Sequence, residues 1–364
     1  MPYLDDAGDL IAAIPAILGF VPERSLLIAV LTDPECDPPP DNAHVFVVMR
    51  FDLDLPDGLI RGLAELAAEA VATICSSADS TEVLAVIVDD RVTGPAPQRG
   101  SRDRGAHATL IDSLVENLAG YPIGVASGWA TAAIEPGGLW WTILGPPRQG
   151  LIPDPTTSMA TSAEDKPVYA SRSELLALIE PDQETIERVS LRLPAARAAV
   201  LRRYAASRRD GDPDGGTRWG FQRVLELIAG LDSGRPPTVS QTAEAAALLA
   251  DRRTRDGLLA TALSNFAHPA ESLWSYLTRT LPDPERAEAA TLLAYSAYVR
   301  RDGALAGVAV QAALQADPEH SFAVMLDAAL ELGLDPESMR RLGRSGAEFV
   351  NGLGIDTDWP EPSS

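Results

Sequence analysis

The stretch from Asp9 to Leu31, DLIAAIPAILGFVPERSLLIAVL, constrains the fold more than any other part of the chain. Leu10, Ile11, Ile14, Ile17 and Leu18 recur at helical spacing and make one apolar stripe. Asp9 suits an N-cap, because its carboxylate can accept the free amide hydrogens of a first turn. Pro15 is awkward in that frame, since it lacks a donor and crowds the preceding turn unless the helix proper starts only near Ala12 or Ala13. Gly19 fits the left-handed residue after a helix end, and Pro22 follows as a stop. Ser25 to Leu31 is then an unbroken apolar run of strand length, which suits a strand covered on both faces.

Beyond this seed the chain alternates. Thr32 to Asn42 is a Pro- and Asp-rich loop, and His44 to Phe51 is a second strand. Leu59 to Ser76 reads as a helix with Ile60, Leu63, Leu66, Ala67, Ala70 and Ile74 on one face. Glu82 to Val88 is a third strand, ending at Asp89 and Asp90, and Arg91 to Gly105 is a Gly/Pro/Arg loop. Ala108 to Leu118 is helical, and Ile123 to Thr131 and Gly138 to Leu144 are strands joined as a hairpin through Glu135-Pro136-Gly137. Strands separated by helices imply crossovers, hence an α/β domain with a mixed, largely parallel sheet. Gly145 to Pro167 reads as a long ordered loop or linker.

From Ser171 onward the period is 3.6. Helices are expected over 171–179, 183–207, 217–231, 240–250, 255–264, 269–279, 284–300, 304–316, 321–332 and 336–342. A chain of 364 residues exceeds one ordinary core. The expected organisation is an α/β domain over 1–180 and an all-α domain over 181–364.

Composition narrows the partners. A net charge of −22 disfavours nonspecific binding to nucleic acid or anionic lipid, because the phosphate term is repulsive. Arg188, Arg192, Arg202, Arg203, Arg208 and Arg209 make the most basic region, better read as a solvated face than as a nucleic-acid patch. Of the 30 lysines and arginines only Lys166 is a lysine, and Ala, Gly and Pro abound, a usage typical of a GC-rich genome such as an actinobacterium's. The opening MPYLDDAGDL has no basic n-region, so no signal peptide is expected. The apolar runs fall short of the roughly 18–20 residues of a membrane span, so no membrane partner is expected. Two cysteines, Cys36 and Cys75, fit a reducing cytoplasm.

No contiguous motif supplies catalytic residues, a metal site or a cofactor. Lys166 lies in EDKPV without the glycines of a phosphate loop, and no G-x-G-x-x-G, H-E-x-x-H or G-x-S-x-G occurs. His44, His107, His268 and His320 have no ligand spacing. The ligand-binding candidates are therefore strand-end residues: Asp89 and Asp90 after the third strand, Arg50 and Asp52 at the end of the second. Together they could form a polar pocket with Arg50 as anion anchor; alternatively the aspartates cap turns and Arg50 pairs with one of them. Ser25 could act as a nucleophile only beside a base such as His44 or His107, and its expected role is turn bonding. Trp140 and Trp141 point to opposite faces of their strand; with Trp274 and Tyr298 they are the interface candidates.

Two resemblances follow. Leu18-Gly19-Phe20, Pro22, Ser25-Leu26, Arg50-Phe51-Asp52, Gly138, Trp140-Trp141-Thr142 and Gly150 resemble the pattern of the actinobacterial family called domain of unknown function 4192 (DUF4192). Ser171-Arg172, Leu175, Trp274, Leu281-Pro282, Glu285-Arg286 and Leu292-Leu293-Ala294 continue it over nearly the whole chain. Relatives in that family carry cysteines just after the paired tryptophans; here the segment is GPPRQG, which removes any thiol or metal role at that place. That resemblance implies no activity. A second, local one is to a tetratricopeptide-type hairpin at about 284–332, carried by Leu293, Ala294, Tyr298, Asp302, Ala306, Ala313-Leu314 and Asp317-Pro318. Three functions are open in this order: a non-enzymatic scaffold for a protein partner or a homo-oligomer; a small-ligand binder or enzyme at the strand ends; and, last, a nucleic-acid binder.

Overall fold

The computed structural model describes residues 7–31, 45–54, 60–75, 81–92, 94, 106–154, 168–331 and 334–355. The chain divides into two compact units, Met1–Arg172 and Ser173–Ser364. The division falls before 180 because residues 178–180 are tied into the helical unit. Ser275 Oγ donates to Leu178 O at 2.6 Å, Arg286 Nη2 to Ile179 O at 3.4 Å and Arg279 Nε to Glu180 O at 3.2 Å.

In the first unit α1 (Ala7–Leu18) leads into β1 (Ser25–Leu31). The helix starts before Asp9 and runs through Pro15, not from Ala12 or Ala13. Ala7, Leu10, Ile11 and Ile14 are buried, and that burial offsets the backbone bond a proline removes. Ile17, expected on the same stripe, is 48% exposed. Gly19 has φ of 77°, the left-handed helix stop that its position demands. The turn after it is pinned from a distance: Val21 N donates to Tyr169 O at 3.0 Å and Tyr169 N to Gly19 O at 2.8 Å.

The remaining elements of this unit are β2 (Val45–Asp52), α2 (Ile60–Ile74), β3 (Thr81–Val88), α3 (Ala106–Leu118), β4 (Ile123–Thr131), β5 (Leu139–Leu144) and β6 (Gln149–Leu151). β6 falls inside the stretch read as loop. The strands form one six-stranded sheet in the order β2-β1-β3-β4-β5-β6. The sheet is mixed but mostly antiparallel, not largely parallel: only β3 and β4 pair in parallel. The physical reason is one insertion. The crossovers through α2 and α3 do make β2, β3 and β4 run the same way, as helix-linked strands should. But β1 pairs antiparallel with both β2 and β3 and lies between them.

Both faces of the sheet are covered, and β1 is buried on both, as its unbroken apolar run requires. Leu26, Ile28 and Val30 share a core with Trp141 and with Leu63, Ala67 and Val71 of α2 and Leu110, Ile111 and Leu114 of α3. Leu27 faces the other way, in a core with Ile11 and Ile14 of α1 and with Trp140. The buried face of α2 is Leu63, Ala64, Ala67, Ala68 and Val71, whereas Leu66 points to solvent. The i, i+4, i+8 row through Leu63 sets that face.

The second unit is helical: α4 (Arg172–Ala177, starting at the boundary), α5 (Gln183–Ser190), α6 (Leu193–Arg209), α7 (Gly215–Asp232), α8 (Val239–Leu249), α9 (Arg252–Leu258), a 3-10 turn (Leu259–Leu263), α10 (Ala267–Thr280), α11 (Glu285–Val299), α12 (Gly303–Ala316), α13 (Ser321–Glu331) and α14 (Pro336–Gly352). The single helix expected over 183–207 is two, because Pro194 in the first turn of α6 fits a helix start, not its interior. α11 and α12 form the expected close hairpin along an alanine seam that includes Ala290, Ala294, Ala306 and Ala309, all buried. The next pair differs. α13 packs on α11 and α12, α14 packs on α9, the 3-10 turn and α11, and the two barely meet.

α14 runs well past Leu342 because its glycines are contact points, not breaks. A Cβ on Gly343 would stand 2.7 Å from Tyr295 Oη and from Leu263 Cδ1, and one on Gly346 would stand 2.8 Å from Asp256 O. Only glycine allows that approach to the turn after α9.

Candidate functional site

Sheet register brings the strand-end candidates to one edge. Ser25 at the start of β1 lies opposite Asp52 at the end of β2 and Val88 at the end of β3, and Val88 lies opposite Thr131 at the end of β4. Ser25 thus shares the edge with Arg50, Asp52, Asp89 and Asp90, a consequence of β1 running against its neighbours.

Asp89 is the most enclosed of these groups, with its side chain wholly buried. Its Oδ1 accepts from Arg91 N at 2.9 Å and Arg91 Nε at 2.8 Å; Oδ2 accepts from Arg91 Nη2 at 2.9 Å and stands 2.7 Å from His107 Nε2. Burial pushes this carboxyl up, but the bonds from Arg91 and His107 outweigh it and hold the group at about 2. His107 reaches it from the first turn of α3.

Asp90 takes both arms of Arg24, from Nε at 2.8 Å and Nη2 at 3.2 Å, and these bonds hold its carboxyl low. Arg24 has φ of 41°, uncommon for a residue with a side chain, and its Nη1 also reaches Asp54 at 3.4 Å. Arg50 donates from Nε to Ser25 Oγ at 2.7 Å and from Nη2 to Asp52 Oδ2 at 3.4 Å, with its guanidinium 5.9 Å from the centre of the Phe20 ring. Ser25 Oγ donates in turn to Glu23 O at 2.6 Å.

Asp54 joins the four candidates into one edge network: its N donates to Asp52 Oδ1 at 2.9 Å, and its carboxylate lies 3.4 Å from Arg24 Nη1 and 3.8 Å from Arg91 Nη1. The network sets three arginines, Arg24, Arg50 and Arg91, among four carboxylates, Asp52, Asp54, Asp89 and Asp90, with His107 Nε2 2.7 Å from the buried one. Asp89 does cap its own turn and Arg50 does pair with Asp52, yet all lie along one edge. Ser25 is engaged in turn bonding, as expected, and His44 lies outside the described residues. Among the described residues no three His, Cys, Asp or Glu side chains gather as a metal site, and no helix is long and apolar enough to cross a membrane.

The interface candidates are buried, each in its own unit. Trp140 and Trp141 do point to opposite faces, and both faces are covered, by α1 and by α2 with α3. Trp140 is clamped between glycines: a Cβ on Gly150 or on Gly8 would stand 2.9 Å or 3.0 Å from its Nε1. Trp274 is wholly buried, and Tyr298 donates its hydroxyl to Leu334 O at 2.6 Å.

The accessible feature of the helical unit is a different one. Where α13 and α14 diverge they leave an open groove of about 570 Å³. Phe322 and Met325 of α13 form one wall, Leu342 and Phe349 of α14 the other, and Arg252, Arg253 and Arg255 of α9 the end. Met325 and Leu342 are exposed. Arg255 is anchored inward, with Nη1 3.0 Å from Glu288 Oε2, and Arg253 lies 5.1 Å from the centre of the Phe349 ring while pairing with Asp214. The Arg252 side chain is 82% exposed.

His320 supports the α13 wall. Its Nδ1 accepts from Ala323 N at 3.2 Å, capping α13, and its Nε2 stands 3.2 Å from Glu288 Oε2. Burial pushes the Glu288 carboxyl up, but His320 and Arg255 hold it below the usual range. Sequence reasoning passed over this groove. The visible signals were the RRTR run at 252–255 and the apolar positions of 342–349, lost because the last helix was ended at Leu342.

The positions that carried the family resemblance now have physical roles. Phe20, Ser25, Arg50 and Asp52 come from two distant segments and touch one another at the sheet edge. Gly138 and Gly150 are the glycines of close approach in the hairpin. Arg286 ties the start of the helical unit to α10 through Ile179 O and Thr278 O, and Trp274 is wholly buried. No curated protein and no solved structure matches this chain. A family model described as domain of unknown function (DUF4192) matches residues 8–337, and the chain belongs to that family.

Proposed function

We propose that this is a non-enzymatic binding protein whose helical unit carries the partner surface. The observation behind this reading is the groove between α13 and α14. Consecutive helices in an array normally pack on each other, and here they diverge and leave Met325 and Leu342 open to solvent beside Phe322 and Phe349. The edge network of the α/β unit favours the same reading by contrast. Each of its arginines is already paired with a carboxylate of the same network, and Ser25 is held by Arg50 and the backbone. Such a network orders the edge of a scaffold.

Affinity isolation from native extract tests this with the full chain and a Met325→Glu variant, whose site is 41% exposed and so tolerates the charge. The reading expects a partner in fixed ratio that the wild type retains and the variant loses. A partner held equally by both, or no partner at all, contradicts it.

A further inference from the structure

We infer that the groove between α13 and α14 takes an acidic, amphipathic helix of another protein. This rests on the groove being the partner surface. Three features carry it. The first is shape: the gap is an open trough left where two successive helices diverge, and the element that fills such a gap in helical arrays is a third helix. The second is size. A helix about 10 Å across, sunk to half its section in about 570 Å³, runs for roughly 15 Å, about ten residues. That length presents three anchors at i, i+3 or i+4, and i+7, matching the apolar walls of Phe322 with Met325 and Leu342 with Phe349.

The third is charge. Three arginines and one carboxylate, Asp256, line the trough of a chain whose net charge is −22. Arg255 is committed to Glu288 and Asp256; Arg252, 3.8 Å from Asp256, keeps its side chain 82% exposed, and Arg253, paired with Asp214 and 5.1 Å from the centre of the Phe349 ring, stays half exposed. Carboxylates flanking the apolar anchors would meet these two guanidinium groups as the helix settles. The net charge of −22 repels an acidic partner over the rest of the chain, so the selection acts locally, at the arginine end of the groove.

The test uses a display library of random peptides about 15 residues long, enough for four helical turns. It is panned on the full chain, with Met325→Glu and Arg252→Glu as controls. The inference expects enriched sequences with apolar residues at i, i+3 or i+4, and i+7 beside Asp or Glu. Synthetic copies should become helical on binding, bind about tenfold more weakly to either variant, and lose affinity as salt rises. Groove-dependent peptides that are basic or uncharged would overturn the acidic partner class while leaving the groove as partner surface. Peptides indifferent to Met325→Glu would overturn both. An unenriched library would overturn the helical peptide, while the extract experiment would still decide the broader reading on its own.

Discussion

Asp89 is the place where the edge network can be weighed. Asp89→Asn keeps the shape and removes the charge. A carboxyl at about 2 in the fold and 3.8 in the unfolded chain contributes about 2 kcal/mol at neutral pH. The independent estimate, two charge-assisted bonds at roughly 1.5–3 kcal/mol each, less what Arg91 recovers by turning to water, is of the same order. The sign follows from the folded value being the lower one. The contribution is complete above about pH 5, falls as pH drops through about 2, and is about half gone at pH 3. Because the chain has two units, the readout must be local. Amide exchange in the peptide covering β3 reports the α/β unit alone. At pH 7 the variant should exchange about 60-fold faster than wild type there, and at pH 3 about tenfold faster. Equal exchange at pH 7, or a ratio that does not shrink with acid, would refute the view that Asp89 is an ionised, fully bonded anchor.

Other substitutions probe packing. Gly346→Ala gains about 1 kcal/mol of helix propensity but drives a Cβ onto Asp256 O, so a net loss of about 1–2 kcal/mol is expected in urea melts. Gly307→Ala, with open space around it, should stabilise the same unit by about 1 kcal/mol. Gly150→Ala should cost about 1–3 kcal/mol and alter near-ultraviolet dichroism, since its Cβ lands on the buried Trp140 ring. His320→Ala removes the cap of α13 and should speed amide exchange over 321–325 by about tenfold, leaving β3 unchanged.

Much of the fold was legible because it rests on local patterns. The unbroken apolar run of β1 announced a strand covered twice, and Trp140-Trp141 announced rings on opposite faces, but not that both faces are covered. Gly19 announced its own φ. What misled was order in space. Helices between β2, β3 and β4 correctly gave those strands one direction, but nothing in the residues of β1 says that it inserts between β2 and β3. The edge candidates were legible as strand ends, yet the residues that bind them together, Arg24 and Asp54, lie just outside β1 and β2, and only the register reveals their partners. The groove was the least legible. It depends on α14 continuing through Gly343 and Gly346, and glycines that break a helix by propensity sustain this one by letting it approach Asp256 and Tyr295.

The central claim is that partner binding belongs to the α13–α14 groove. Amide exchange of the full chain, alone and in the complex isolated from extract, measures this most directly. The account expects new protection over 321–325 and 342–349, with the β3 peptide and residues 50–54 unchanged. Protection confined to the sheet edge, with the α13 and α14 peptides exchanging as in the free protein, would contradict it.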